Sequence, residues 1–330
     1  MKLSRDRRRP RLPRLQVYHY AFLLFLFLFL PVASQAQTPK SAEDFNNRGI
    51  TRQGQGDIDG AIDDFTKALS LKAPAFVLAT AYNNRANARL NKNDLEGALA
   101  DYSKAIELQP VNFENYYNRG SVLLGKNDLD LAIADFTKVI QLAPEFALAY
   151  NNRGNALIAK GDVEAAIADY TTALKYNPKA ADTYYNRGIA LQSKKDFDGA
   201  LSDYSTAIDL APKFVLAYIN RAVVRQEKHD LDGAIADYSV AAELKPDDAG
   251  IFFGRGLVRQ TKKDLNGAFA DYSKAIQLNP TLAQAYANRG VIETLQKKRA
   301  EAGRDFEQAF KLDPALKKSY REFIEGRKVP

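Results

Sequence analysis

After residue 41, apolar residues return at helical spacing in short blocks, and polar turn signals separate the blocks at regular intervals. Residues 81–110 read AYNNRANARLNKNDLEGALADYSKAIELQP. Residues 149–178 read AYNNRGNALIAKGDVEAAIADYTTALKYNP, and residues 285–314 read AYANRGVIETLQKKRAEAGRDFEQAFKLDP. A small residue marks the register: Gly49, Ala86, Gly120, Gly154, Gly188, Ala222, Gly256 and Gly290. The spacing is 37 residues once and then 34 six times, so eight repeats fit over residues 42–316.

Each repeat decodes as two helices. The first carries residues such as Tyr150, Ala156 and Leu157 at helical spacing, and the second carries Ala98, Tyr102 and Ala105 or their equivalents on one stripe. Between them lies a turn such as KNDLEG, whose aspartate (Asp57, Asp94, Asp128, Asp162, Asp196, Asp230, Asp264) can cap the second helix by accepting a backbone N–H bond. Lys298 stands there in the last repeat, which predicts a weaker cap. A proline ends each second helix, from Pro74 to Pro314. The three extra residues of the 37-residue spacing fall near 72–78 and predict a longer loop. Leu316, Tyr320, Phe323 and Ile324 form an apolar stripe that predicts a capping helix over 315–325, ended by Gly326.

A 34-residue period with an aromatic, then Gly or Ala four residues later, then Ala, Tyr or Phe, Ala and Pro at fixed offsets resembles the tetratricopeptide repeat. The resemblance covers residues 42–316. It implies an all-α fold: a right-handed superhelical solenoid of eight helix pairs with a C-terminal capping helix. It also implies a concave groove lined by the first helix of each pair, which binds a protein or an extended peptide. Such arrays bury a core only by stacking, so their ends need polar covers.

Two polar series run through the repeats. Arginine occupies one slot in all eight: Arg48, Arg85, Arg119, Arg153, Arg187, Arg221, Arg255 and Arg289. Aspartate precedes the second-helix aromatic in all eight: Asp64, Asp101, Asp135, Asp169, Asp203, Asp237, Asp271 and Asp305. The family more often has a hydrophobic residue in the arginine slot. Matching one for one, the two series predict a ladder of Arg–Asp pairs from the same or the preceding repeat, with Arg119, Arg153, Arg187 and Arg221 facing Asp135, Asp169, Asp203 and Asp237. The alternative is a row of arginines reaching an anionic ligand.

Asparagine precedes the arginine at Asn47, Asn84, Asn118, Asn152, Asn186, Asn220 and Asn288, and only Gly254 interrupts. The resemblance implies that these side chains line the groove. An amide donates and accepts at once and so can pair with a peptide backbone. Tyr117 and Tyr185 beside them offer aromatic surface for mixed contacts. The alternative is that the asparagines bond within the protein and keep its surface polar. No lysine flanks the series at Thr80, Glu114, Leu148 or Asp182, so a clamp for a C-terminal carboxylate is not expected.

Residues 1–36 stand apart. Seven basic residues and one acid precede an apolar run from Val17 to Leu30, followed by Pro31 and the small residues Ser34 and Ala36. That is the pattern of a secretory signal peptide cleaved near Ala36, with 37–41 a short linker, and it predicts an exported, periplasmic protein. The run of 14 residues is short of the roughly 20 a spanning helix needs. An uncleaved inner-membrane signal anchor is the alternative. The leader holds +6 of the net charge of +7, so the repeats give no electrostatic case for nucleic acid.

The chain has no cysteine, and outside the leader His229 is the lone histidine, set in the turn EKHDLDG. The usual zinc sites and thiol chemistry therefore lack ligands, and no phosphate-binding glycine loop or nucleophile elbow occurs. The sequence points to a scaffold or adaptor, not an enzyme, with no metal and no small-molecule cofactor. A homo-oligomer whose groove holds another copy's terminus, a membrane-anchored assembly factor with the same repeats, and a polysaccharide or cell-wall module are the other readings.

Overall fold

The computed structural model describes residues 39–321. The leader, and Phe323, Ile324 and Gly326 of the expected capping stripe, lie outside the described residues. Within them there are seventeen helices and no strand. None of these helices is long and apolar enough to cross a membrane.

Two compact units divide the chain after Asp162. The first holds α1 (Ala42–Gly54), α2 (Ile58–Ser70), α3 (Ala75–Asn91), α4 (Leu95–Leu108), α5 (Phe113–Gly125), α6 (Leu129–Leu142) and α7 (Ala147–Lys160). The second holds α8 (Val163–Tyr176), α9 (Ala181–Ser193), α10 (Phe197–Leu210), α11 (Val215–Glu227), α12 (Leu231–Leu244), α13 (Ala249–Thr261), α14 (Leu265–Leu278), α15 (Ala283–Leu295), α16 (Arg299–Leu312) and the short α17 (Leu316–Ser319). Inside each unit consecutive helices pack in pairs, and each pair packs on the next.

The core is built from the small and aromatic slots. Ala98, Tyr102 and Ala105 of α4 are all but fully buried, as are Ala200, Tyr204 and Ala207 of α10. The ring packs over the small residue of the partner helix: a Cβ added at Gly188 would lie 2.7 Å from the Tyr204 ring, and one at Gly256 2.7 Å from the Tyr272 ring. Close approach, not turn geometry, therefore selects the small residue in this register position.

The turns show why some caps form and others do not. Asp57, Asp94, Asp196, Asp230 and Asp264 each accept from the N–H of a glycine three residues on, at 2.9–3.0 Å. A Cβ on that glycine would strike the carboxylate, at 2.1 Å in Gly97. Asp128 is followed by Leu131 in that place, and its side chain makes no cap bond, contrary to the expectation from sequence. Lys298 makes none either.

The residue before the capping position is left-handed in every turn between paired helices: Gly56, Asn93, Asn127, Gly161, Lys195, His229, Lys263 and Lys297. A lysine at φ 67, as in Lys263, carries a steric cost that glycine avoids. Lys263→Gly is expected to stabilise the array by about 0.5–1 kcal/mol, read as a higher urea midpoint. A lower midpoint would mean that the lysine side chain makes a compensating contact.

The extra residues between the first two repeats do not form a longer loop. They extend α3 by one turn, to 17 residues against 13 in α1 and α5. Pro74 has extended backbone geometry and starts that helix, where its missing N–H costs nothing. On the outer surface, turn lysines reach an acid of the preceding pair, as in Lys126 with Glu96, Lys194 with Glu164 and Lys262 with Asp232. These pairs are exposed and contribute little each. The last step is neutral, Gln296 to Asn266.

Candidate functional site

The arginine series is held from three sides. In seven repeats the guanidinium meets the aspartate sixteen residues on, through Nε and Nη2, with the Nη2 bond at 2.5–2.8 Å. Thus Arg119 pairs with Asp135, Arg187 with Asp203 and Arg221 with Asp237, always within one repeat. From the second repeat on, Nη1 of each arginine, Arg153 included, donates to a hydroxyl of the preceding repeat at 3.0–3.1 Å: Thr66, Ser103, Thr137, Thr171, Ser205, Ser239 or Ser273. The guanidinium also lies over the aromatic ring three residues before it, as for Arg119 over Tyr116 and Arg187 over Tyr184. Arg153 shares the Thr137 bond and the ring of Tyr150, and Asp169 is buried.

From the second repeat on, these contacts leave the arginines no free fork for an anionic ligand. The hydrogen bond to aspartate raises the Arg119 and Arg187 pKa values further. The signal for this hydroxyl row lies in the sequence: Ser or Thr stands two residues after the aspartate in the first seven repeats, and Glu307 in the eighth. A second arginine, four residues after the first, also grips Asp64, Asp101, Asp237 and Asp271, from Arg52, Arg89, Arg225 and Arg259. Leucine fills that slot at Leu123, Leu157 and Leu191, and Glu293 fills it in the last repeat.

The asparagines lie half-buried on the first helices, except the exposed Asn47. Several are bonded to side chains of a neighbouring first helix. Asn84 donates to Asn46 at 2.9 Å, Asn152 to the Tyr117 hydroxyl at 3.2 Å and Asn220 to the Tyr185 hydroxyl at 3.1 Å. Asn288 accepts from Tyr320, beyond α17, at 2.9 Å. The side chains of Asn47 and Asn118 make no hydrogen bond among the described residues. Asn186 is half-buried like its counterparts.

The two tyrosines are not the open aromatic surface expected of them. Tyr185 is only 9% exposed and packs on Tyr204 and Phe214, with ring centroids 5.9 and 4.7 Å away. Tyr117 packs on Phe136 and Phe146. What each offers toward the asparagine row is its hydroxyl.

The residues around the row differ between the units. Three residues after the asparagine stand Ile50, Asn87, Ser121 and Asn155 in the first unit, but Ile189, Val223, Leu257 and Val291 in the second. Just before it stand Asn46, Asn83, Tyr117 and Asn151, against Tyr185, Ile219, Phe253 and Ala287. These positions are mostly amides in the first unit and apolar in the second, where Tyr185, Ala287 and Val291 are buried. Neither set includes a lysine or arginine.

Family models described as TPR repeat match residues 86–127 and 154–195, and models described as tetratricopeptide repeat match residues 113–146, 181–214 and 283–316. No curated protein sequence matches the chain. Among solved structures, the chain is similar to YrrB, described as a TPR protein with an unusual peptide-binding site. The identity is 25% and the TM-score 0.50, over 56% of this chain and 95% of that one. It is also similar to a tetratricopeptide repeat protein from Parabacteroides merdae, at 18% identity and TM-score 0.57 over 82% of this chain and 99% of that one. The C-terminal part of a TPR repeat-containing protein from Cytophaga hutchinsonii matches at 18% identity and TM-score 0.61, over 72% and 97%.

Proposed function

Because the chain belongs to the tetratricopeptide-repeat family of protein-interaction scaffolds, we propose that it is a non-catalytic adaptor holding an extended peptide on the asparagine row of its first helices. The row carries this reading: among the described residues the Asn47 and Asn118 side chains make no hydrogen bond, and Asn84 spends one N–H on Asn46 and keeps its Oδ1. An amide with a free donor and acceptor can satisfy a backbone C=O and N–H together. The likeness to YrrB, whose description names a peptide-binding site, supports the same reading. Each bond contributes about 0.5–1.5 kcal/mol net, so affinity comes from the sum.

The test is the double variant Asn47→Ala with Asn118→Ala, against peptides captured by the native protein. Binding should weaken about tenfold or more with helicity and melting temperature nearly kept. Asn84→Ala, Asn152→Ala and Asn220→Ala belong in a separate set, because they also remove internal bonds to Asn46, Tyr117 and Tyr185, at about 1 kcal/mol each. Unchanged binding in the double variant would refute the reading.

We further propose that the adaptor is exported to the periplasm and begins near Gln37, on the strength of the basic, apolar and small-residue pattern of residues 1–36. N-terminal sequencing of the exported protein checks this. A membrane-retained protein that keeps Met1 would make the leader an anchor.

A further inference from the structure

The added turn of α3 does more than lengthen the helix. It carries Phe76, 57% exposed, on the same stripe as Thr80, Asn83, Asn84, Asn87 and Asn91. At 3.6 residues per turn these six positions fall within a stripe about 100° wide. The flanks of that stripe are buried: Val77, Ala81 and Ala88 on one side, Ala79 and Ala86 on the other. Val77 and Ala81 pack with Ala42 and Ala68 of the first repeat, which leaves the stripe open between neighbouring first helices. No ionisable side chain lies on it, and the acids Glu43 and Glu114 stand exposed on the first helices to either side.

The amides of the stripe are oriented in advance. The Tyr102 hydroxyl donates to Asn87 Oδ1 at 2.5 Å, Asn87 Nδ2 to Asn83 Oδ1 at 3.2 Å, and Asn83 Nδ2 to Asn115 Oδ1 at 2.7 Å. The relay ends on Asn115, 2% exposed, whose Nδ2 has no acceptor. A ligand therefore meets donors and acceptors already fixed, which lowers the ordering cost of binding.

From this we infer that Phe76 sets the side-chain preference of the first unit: its stripe takes an uncharged, extended peptide segment with one bulky apolar side chain, packed on the Phe76 ring while the amides pair with the backbone. The inference rests on the peptide-binding reading given above. The neutral stripe and its acidic flanks argue against acidic ligands, since no cation is placed to meet them.

The experiment pans a phage-displayed random dodecapeptide library on the native protein, on Phe76→Ser, and on Asn47→Ala/Asn118→Ala. Native protein should enrich neutral peptides with an aromatic or long aliphatic residue at one register. Phe76→Ser should still enrich peptides but lose that preference. A synthetic peptide selected on the native protein should bind it about tenfold to a hundredfold more weakly. Because Phe76 is exposed, the thermal melt of this variant should not move.

An apolar preference that survives Phe76→Ser overturns the inference, as does a native pool rich in acidic residues. If the asparagine variant loses binding and Phe76→Ser changes nothing, this inference fails and the peptide-binding reading stands. If no peptide is enriched and a glycan array instead shows Phe76-dependent binding, both fail.

Discussion

Arg187→Leu is expected to destabilise its repeat by about 3 kcal/mol, the cost of stripping the partner from a buried charge. Asp203 is 4% exposed and, among the described residues, is paired with Arg187 alone, because Leu191 fills the slot from which a second arginine could reach it. Arg221→Leu should cost about half as much. Asp237 is buried alike, but Arg225 still donates to it at 2.8 Å. Exchanging both partners, Arg187→Leu with Asp203→Leu, should recover most of the loss, since replacing a buried ion pair by apolar groups is often neutral. The readout is the urea midpoint together with hydrogen exchange of α9 and α10, because each repeat contributes its own stability and its interfaces. Equal losses in the two single variants would show that the second arginine does not share the charge, and a double variant as weak as Arg187→Leu would place the loss in packing.

Glu293→Leu should move stability the other way, by about 2 kcal/mol at neutral pH. Glu293 is 6% exposed, its Oε2 has no partner, and it occupies the slot of arginine or leucine in the other repeats. Burial, and then the nearby Asp305 carboxylate, raise its pKa above the ordinary 4.5. The folded state therefore holds this proton more tightly than the unfolded chain does. The stability that protonation confers is complete below the unfolded value and is lost as pH rises through the raised one. The advantage of leucine should accordingly be small near pH 4 and full near pH 7.5. Paired thermal melts of the two proteins at both pH values measure it; an advantage that shrinks as pH rises would contradict the burial argument.

Much of the architecture is local and so could be read along the chain. Apolar residues three and four apart define each helix, the proline ends it, and an Asp with glycine three residues on both signals and makes the cap. The one-for-one recurrence of arginine and aspartate announced their partnership, because residues sixteen apart in a helix pair are set opposite by the turn between them. Even the hydroxyl row was in plain view, but it has meaning only once the neighbouring repeat is stacked beside it.

Tertiary structure alone decided how first helices meet one another. The partners of Asn84, Asn152 and Asn220 lie 38, 35 and 35 residues away, a distance that no helical period encodes. Their bonds depend on the rotation and offset of two packed helices. The same packing turned Tyr185 inward, because its ring fills the space beside Tyr204 while only its hydroxyl reaches the row. It also settled the three extra residues. Their composition suits a loop or a helix alike. Val77 finds a buried place against Ala42 and Ala68 only when the segment is helical, and the exposed Phe76 is carried into line with the amides as a consequence. Periodicity specifies which residues form helices, whereas the contacts between helices depend on side-chain volumes from two distant segments meeting in space.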